Sequence, residues 1–221
     1  MTISSSNESR VQDAIARLQK AYPSAAKRVH GYAANMGDES SLEKNITELF
    51  EKTGKLDHVV YTAGDQLATI SAREASFTEI KQAGMVRFFA PILVAKHATK
   101  YLDSSAASSI TFTTGAVSER PIPGWSIVNG FATGLQGTTR GLALDLKPIR
   151  VNLVSPGAVD TELWAGLPED KRQEMFKAFE GKMTTGAIGQ VVDVAEAFLY
   201  CMKDSNISGS MISTSGGSLL M

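Results

Sequence analysis

The sequence predicts a parallel α/β sheet flanked by helices. Short apolar runs alternate along the chain with longer amphipathic stretches, the signature of strand–helix–strand units. The breaks between them are rich in glycine, proline, serine and asparagine, which turn the chain or stop helices. No repeat, low-complexity tract or linker interrupts the pattern, so residues 1–221 are expected to form one domain.

Thr2 to Ser4 read as the end of a strand. Ser6 or Asn7 caps a helix whose apolar face is Val11, Ile15 and Leu18, at i, i+4, i+7. Val29 to Ala34 is a second strand. Ser40 and Glu43 form a capping box for a helix carrying Leu42, Ile46, Leu49 and Phe50, and Gly54 ends it. His58 to Thr62 is a third strand. A long helical segment spans Phe77 to Leu102, and Pro91 inside it predicts a kink or break. Ser109 to Thr113 is the fourth strand, followed by a loop with Pro121, Pro123 and Gly124. A helix over Ser126 to Leu146 stops at Pro148, and Ile149 to Val154 is a strand ended by Pro156-Gly157. Residues 165–190 are expected to hold two short helices on the substrate side. Val191 to Lys203 is helical, Ser210 to Ser213 is a last strand, and Gly216-Gly217 follows.

Composition narrows the function. A net charge of −1 gives no electrostatic reason to expect nucleic acid or an anionic membrane as partner. No apolar run is long enough to span a bilayer, and the opening MTISSSNESR lacks a signal-peptide pattern, so a cytoplasmic protein is expected. The single cysteine, Cys201, cannot form an intrachain disulfide and reads as a small apolar helix residue. His30, His58 and His97 show no metal-ligand spacing and are expected in solvated or capping roles; no metal is expected.

Four segments resemble the short-chain dehydrogenase/reductase family. Asp57 to Gly64 is similar to the family's strand that ends in Asn-Asn-Ala-Gly. Gly141 to Gly157 is similar to its helix, strand and Pro-Gly turn, almost letter for letter. Val159-Asp160-Thr161 resembles the stretch that clamps the nicotinamide amide and pyrophosphate. Asn206 to Gly209 with Gly216-Gly217 resembles the C-terminal signature. Their order and spacing extend the resemblance over nearly the whole chain. It implies a doubly wound, Rossmann-like sheet and a dinucleotide cofactor. The family's first strand and Gly-x-x-x-Gly-x-Gly loop do not appear. The chain begins where the second strand should end, so that strand would lack a neighbour on one side. A truncated product of a longer protein and a genuine short form both fit this start.

The resemblance implies NADP rather than NAD. Where an NAD enzyme carries an Asp or Glu for the ribose 2′-hydroxyl, this chain has Ser5, Ser6 and Asn7, with Arg10 one turn on. Hydroxyls, an amide and a guanidinium suit a 2′-phosphate, and they equally suit an ordinary polar helix cap. By the same analogy Asn35 meets the adenine, Thr62, Ala63 and Gly64 face the cofactor, and Val159 and Thr161 hold its nicotinamide end. Tyr61-Thr62 stands where the family has Asn-Asn.

The family's acid–base set is absent. Counting back from Gly137 to Ala143, the catalytic Tyr position falls on Val128 and the Lys position on Ala132. The Ser position falls on Gly115, or with one shift on Thr114, and the Asn position on Arg87. Neither Val nor Ala can move a proton. Arg87 could neutralise a cofactor phosphate or steady a substrate oxygen, and equally reads as a solvent-facing helix arginine. Thr113 and Thr114 could hydrogen-bond substrate; Trp125 and Trp164 could line its pocket or pack in the core. Asp160 and Glu162 are expected at the surface near the cleft mouth.

These residues point to an NADP-dependent oxidoreductase acting on a small organic molecule without the tyrosine acid. Hydride addition to an iminium yields a neutral amine and needs no proton donor. Arg87-Phe88-Phe89 and Arg120-Pro121 to Gly124-Trp125 resemble a fungal-type branch of the family found in secondary metabolism, including alkaloid pathways. Two other readings stand beside it: an inactive paralogue or binding scaffold, and a redox-neutral cyclisation or isomerisation catalyst. The helices over Phe77–Leu102 and Ser126–Leu146 permit a homo-oligomer.

Overall fold

Six strands, all paired in parallel, form two sheets in the computed structural model, which describes residues 1–221. β1 (Thr2–Ser5) pairs only with β2 (His30–Ala33), with Thr2 opposite His30. β3 (His58–Tyr61), β4 (Ser109–Thr113), β5 (Arg150–Pro156) and β6 (Met211–Thr214) form the second sheet in that order. β1 and β3 therefore each keep one edge without a strand partner. The expected doubly wound α/β sheet is present as two pieces.

Seven α-helices cover the strands: α1 (Glu8–Ala21), α2 (Leu42–Thr53), α3 (Phe77–Gly84), α4 (Ala90–Ala98), α5 (Ser126–Asp145), α6 (Glu169–Glu180) and α7 (Val191–Lys203). The core lies under α2, α4 and α5. Ile110 and Phe112 of β4 and Val151 and Leu153 of β5 meet Ile46 and Phe50 of α2, Val94 of α4 and Leu135 of α5. Full burial of each such side chain contributes about 1.5–3 kcal/mol. Ala34 and Met36, just past β2, belong to the same cluster, so the core ties the two sheets together. On the opposite face, Thr111 and Asn152 are fully buried, yet Val60, the residue paired with Thr111, is 41% exposed. The cover on that face stops at β3.

Several elements differ from their expected form. Ser40 does not cap α2: its hydroxyl donates to Asp38 Oδ1 at 2.8 Å, and the helix begins at Leu42 without a side-chain cap. Glu43 instead accepts from His97 Nε2 at 3.0 Å and from Lys96 Nζ, joining α2 to α4. His97 is thus buried and paired rather than solvated. The break in the long helix comes before Pro91: Met85–Phe89 is one π-helical turn between α3 and α4. Between residues 165 and 190 one α-helix forms, α6, preceded by a short 3₁₀ turn at Glu162–Trp164.

Arg150 organises the end of the second sheet. Its guanidinium donates to Ala106 O at 2.6 Å, Cys201 O at 2.6 Å and Met202 O at 2.9 Å, and it is buried. No carboxylate lies within salt-bridge distance. The C-terminal end of α7, with its unpaired carbonyls and negative dipole, supplies the compensation.

Candidate functional site

Because every strand runs parallel, the residues that follow the strands gather along one edge, where ligands of open α/β sheets bind. Most of the sequence-predicted site residues lie there: Ser5 at the end of β1 with Ser6 and Asn7 after it, Asn35 after β2, Thr62 to Gly64 after β3, Thr114 after β4, Val159 and Thr161 after β5.

After β1, Asn7 is the N-cap of α1, its Oδ1 accepting from Ser9 N at 2.8 Å. Ser5 and Ser6 make no side-chain hydrogen bond within the chain. Arg10 has no carboxylate partner, and Glu8 is turned back onto Gln12 Nε2 at 2.7 Å. Free hydroxyls, an unpaired guanidinium and a helix N-terminus form a donor set that fits a phosphate. Ser5 and Arg10 also border a cleft of about 410 Å³ floored by Ile3 and Val11. Asn35 is used locally: its Oδ1 accepts from Gly37 N at 2.9 Å.

After β3 the chain meets the π turn. Arg87 lies against Gly64, where an added Cβ would stand 2.8 Å from Nη2 and 2.9 Å from Cζ. Gly64 is needed for that approach. Arg87 Nη2 donates to the Asp65 carbonyl, and Nε lies 3.2 Å from Asp65 Oδ1. Nε is buried and not aligned for a hydrogen bond, so the carboxylate acts as a neighbouring charge. The side chain is 30% exposed, which leaves one edge of the guanidinium open. On the far side of the turn Phe88 and Phe89 pack on Phe131 of α5, with ring centroids 5.4 and 5.8 Å apart.

The family's acid–base face holds no proton carrier. Val128 is buried, and Ala132 offers only its carbonyl, which accepts from Thr114 Oγ1 at 3.0 Å. Thr113 Oγ1 donates to Tyr61 O at 2.9 Å. Both threonine hydroxyl protons are spent on backbone, but their oxygens keep lone pairs for a donor. The adjacent Asn129 Oδ1 is buried without a partner.

Val159 forms a bridge to Gly189, and its carbonyl accepts from Trp164 Nε1 at 3.0 Å. Trp164 packs on Phe179 of α6, centroids 6.4 Å apart. Thr161 caps the 3₁₀ turn. Asp160 and Glu162 are exposed, as expected. Sequence reasoning missed Asp65 and Tyr61, the two residues tied to the π turn. Asp65 lies in an irregular stretch that gives no periodic signal.

Known proteins share this fold. The profile of the SDR-like Rossmann domain family matches residues 1–221. The chain is 46% identical over 222 residues to the short-chain dehydrogenase/reductase fsr5 of Gibberella fujikuroi, covering 99% of this chain and 84% of that one. Among solved structures it is similar to the MalC reductase/Diels-Alderase of Malbranchea aurantiaca, with a TM-score of 0.93 and 37% identity over 100% of this chain and 86% of that one. A small-chain dehydrogenase in complex with NADPH gives a TM-score of 0.80 and 31% identity, covering 87% of each chain.

Proposed function

The chain belongs to the short-chain dehydrogenase/reductase family, and on that premise we propose that it is an NADPH-dependent reductase of a small molecule in a fungal-type secondary-metabolite pathway. Its substrate class is a protonated imine or iminium, as in alkaloid assembly, rather than a ketone. The observation that carries this is the pair Val128 and Ala132 at the acid–base positions. Ketone reduction develops an alkoxide and needs a matched proton donor; reduction of a protonated imine does not.

Ser5, Ser6, Asn7 and Arg10 would hold the 2′-phosphate, and Asn35, Thr62, Ala63, Gly64, Val159 and Thr161 the rest of the dinucleotide. When bound, the reduced nicotinamide supplies the hydride. Thr114 Oγ1, its proton given to Ala132 O, accepts from the imine N–H. Arg87 donates from its open edge to a substrate oxygen. Because Asp65 balances its charge, the pair does not repel a cationic substrate. The similarity to the MalC reductase/Diels-Alderase favours a second reading, in which the same pocket shapes a redox-neutral cyclisation.

Titration of the 221-residue chain with NADPH and NADH, read by thermal shift, tests the proposal. Saturable binding that favours NADPH and raises the melting temperature is expected. Arg10→Glu should weaken NADPH and spare NADH. A matched imine and ketone are then added. Consumption of NADPH with the imine alone supports the reading; a folded chain that binds neither nucleotide overturns it.

A further inference from the structure

The π turn leaves one buried carbonyl to be satisfied from outside the helix. In an α-helix Val86 O would accept from the Ala90 N–H, but that N–H bonds to Met85 O instead. In the π register Val86 O would accept from residue 91, and Pro91 has no N–H. The donor comes from β3: Tyr61 Oη donates to Val86 O at 2.6 Å, and both residues are buried.

Arg87 is the next residue, and its guanidinium returns across the same gap to the Asp65 carbonyl, four residues after Tyr61. The strand end and the turn are cross-tied twice, once by each side chain. Resting on the placement of Arg87 in the reaction site, we infer that Tyr61 is a positioning residue. Its hydroxyl takes the carbonyl that the π turn and Pro91 leave open, and so fixes the turn from which Arg87 reaches Gly64. The tyrosine is not the missing acid. Its proton is committed to a backbone carbonyl, and burial, with Asp65 nearby, pushes the phenol well above its ordinary range.

Tyr61→Phe keeps the ring and removes the hydroxyl. Two readouts are taken on the full chain. The first is the slowly exchanging side-chain NMR signal of Arg87, assigned by its loss in Arg87→Lys. It is expected in the unaltered chain and lost in Tyr61→Phe; an unchanged signal overturns the inference whether or not the chain is a reductase. The second is a double-mutant cycle on imine turnover. Tyr61→Phe should lower kcat about fivefold to tenfold with KM for NADPH unchanged, and Tyr61→Phe/Arg87→Ala should be no worse than Arg87→Ala alone. Multiplying losses would overturn the inference. Wild-type turnover by Arg87→Ala would overturn the placement of Arg87 and leave the NMR arm to decide on Tyr61. If Tyr61→Phe alone does not fold, Tyr61→Phe/Pro91→Ala takes its place. Residue 91 then gives Val86 O an amide, so the fold and the Arg87 signal should both return; loss of the signal in that folded variant overturns the inference.

Discussion

At Gly64 a single hydrogen in place of a methyl decides whether a guanidinium can lie on the backbone. A Cβ there meets Arg87 Nη1, Nη2 and Cζ, the flexible end of a side chain, rather than backbone. Gly64→Ala should therefore cost less than about 1 kcal/mol in urea unfolding while cutting imine turnover about tenfold, because Arg87 is displaced and the fold is not. Thr114 makes a contrasting prediction. Thr114→Val removes the hydrogen bond to Ala132 O, worth about 1 kcal/mol of stability, and the oxygen offered to the imine. KM for the imine should rise with little change in kcat. The absence of the tyrosine and lysine was legible through the family resemblance, since counting back from Gly137–Ala143 puts Val128 and Ala132 at those positions. The Arg87–Asp65 contact was not, because it joins residues from a helix turn and an irregular loop that no local pattern relates.

Helices α2 and α4 are joined by a cluster with a definite pH signature. Lys96 and His97 hold the Glu43 carboxyl below its ordinary value of 4.5 by hydrogen bonds and charge. A carboxylate depressed in the folded state contributes stability above its unfolded value, and that contribution is lost as pH falls through the folded one. Glu43→Gln should lower the melting temperature at neutral pH, and the deficit should shrink below about pH 4. At the far end of the sheet, Arg150→Met should cost about 3 kcal/mol in urea unfolding, since it strands the carbonyls of Ala106, Cys201 and Met202. The strands and α7 were readable because their apolar spacing is local. The start of α2 departs from its capping-box pattern because Glu43 has a better partner in α4. The π turn was hidden for a related reason: Pro91 signals a break, but its position depends on a donor from β3.

Across the whole molecule, the edges of β1 and β3 set the pattern of stability. β4 and β5 are paired on both sides and buried; β1 and β3 are paired on one. Hydrogen exchange should find the amides of β4 and β5 slowest and those of β1 and β2 fastest among the strands. Fold class was legible in the family-like segments, and the missing first-strand pattern foretold a strand with one unpaired edge; the division into two sheets rests on pairings between segments far apart in sequence, which no local pattern gives. The central claim is that hydride transfer here proceeds without a protein proton donor. Single-turnover reduction of a protonated imine by bound NADPH, measured from about pH 6 to about pH 9 in H₂O and D₂O, tests it most directly. Once corrected for the substrate's own protonation, the rate should be flat with pH and nearly equal in the two solvents. A rate that titrates with an enzyme group, together with a solvent isotope effect above about 2, would show a proton moving with the hydride and would contradict the account.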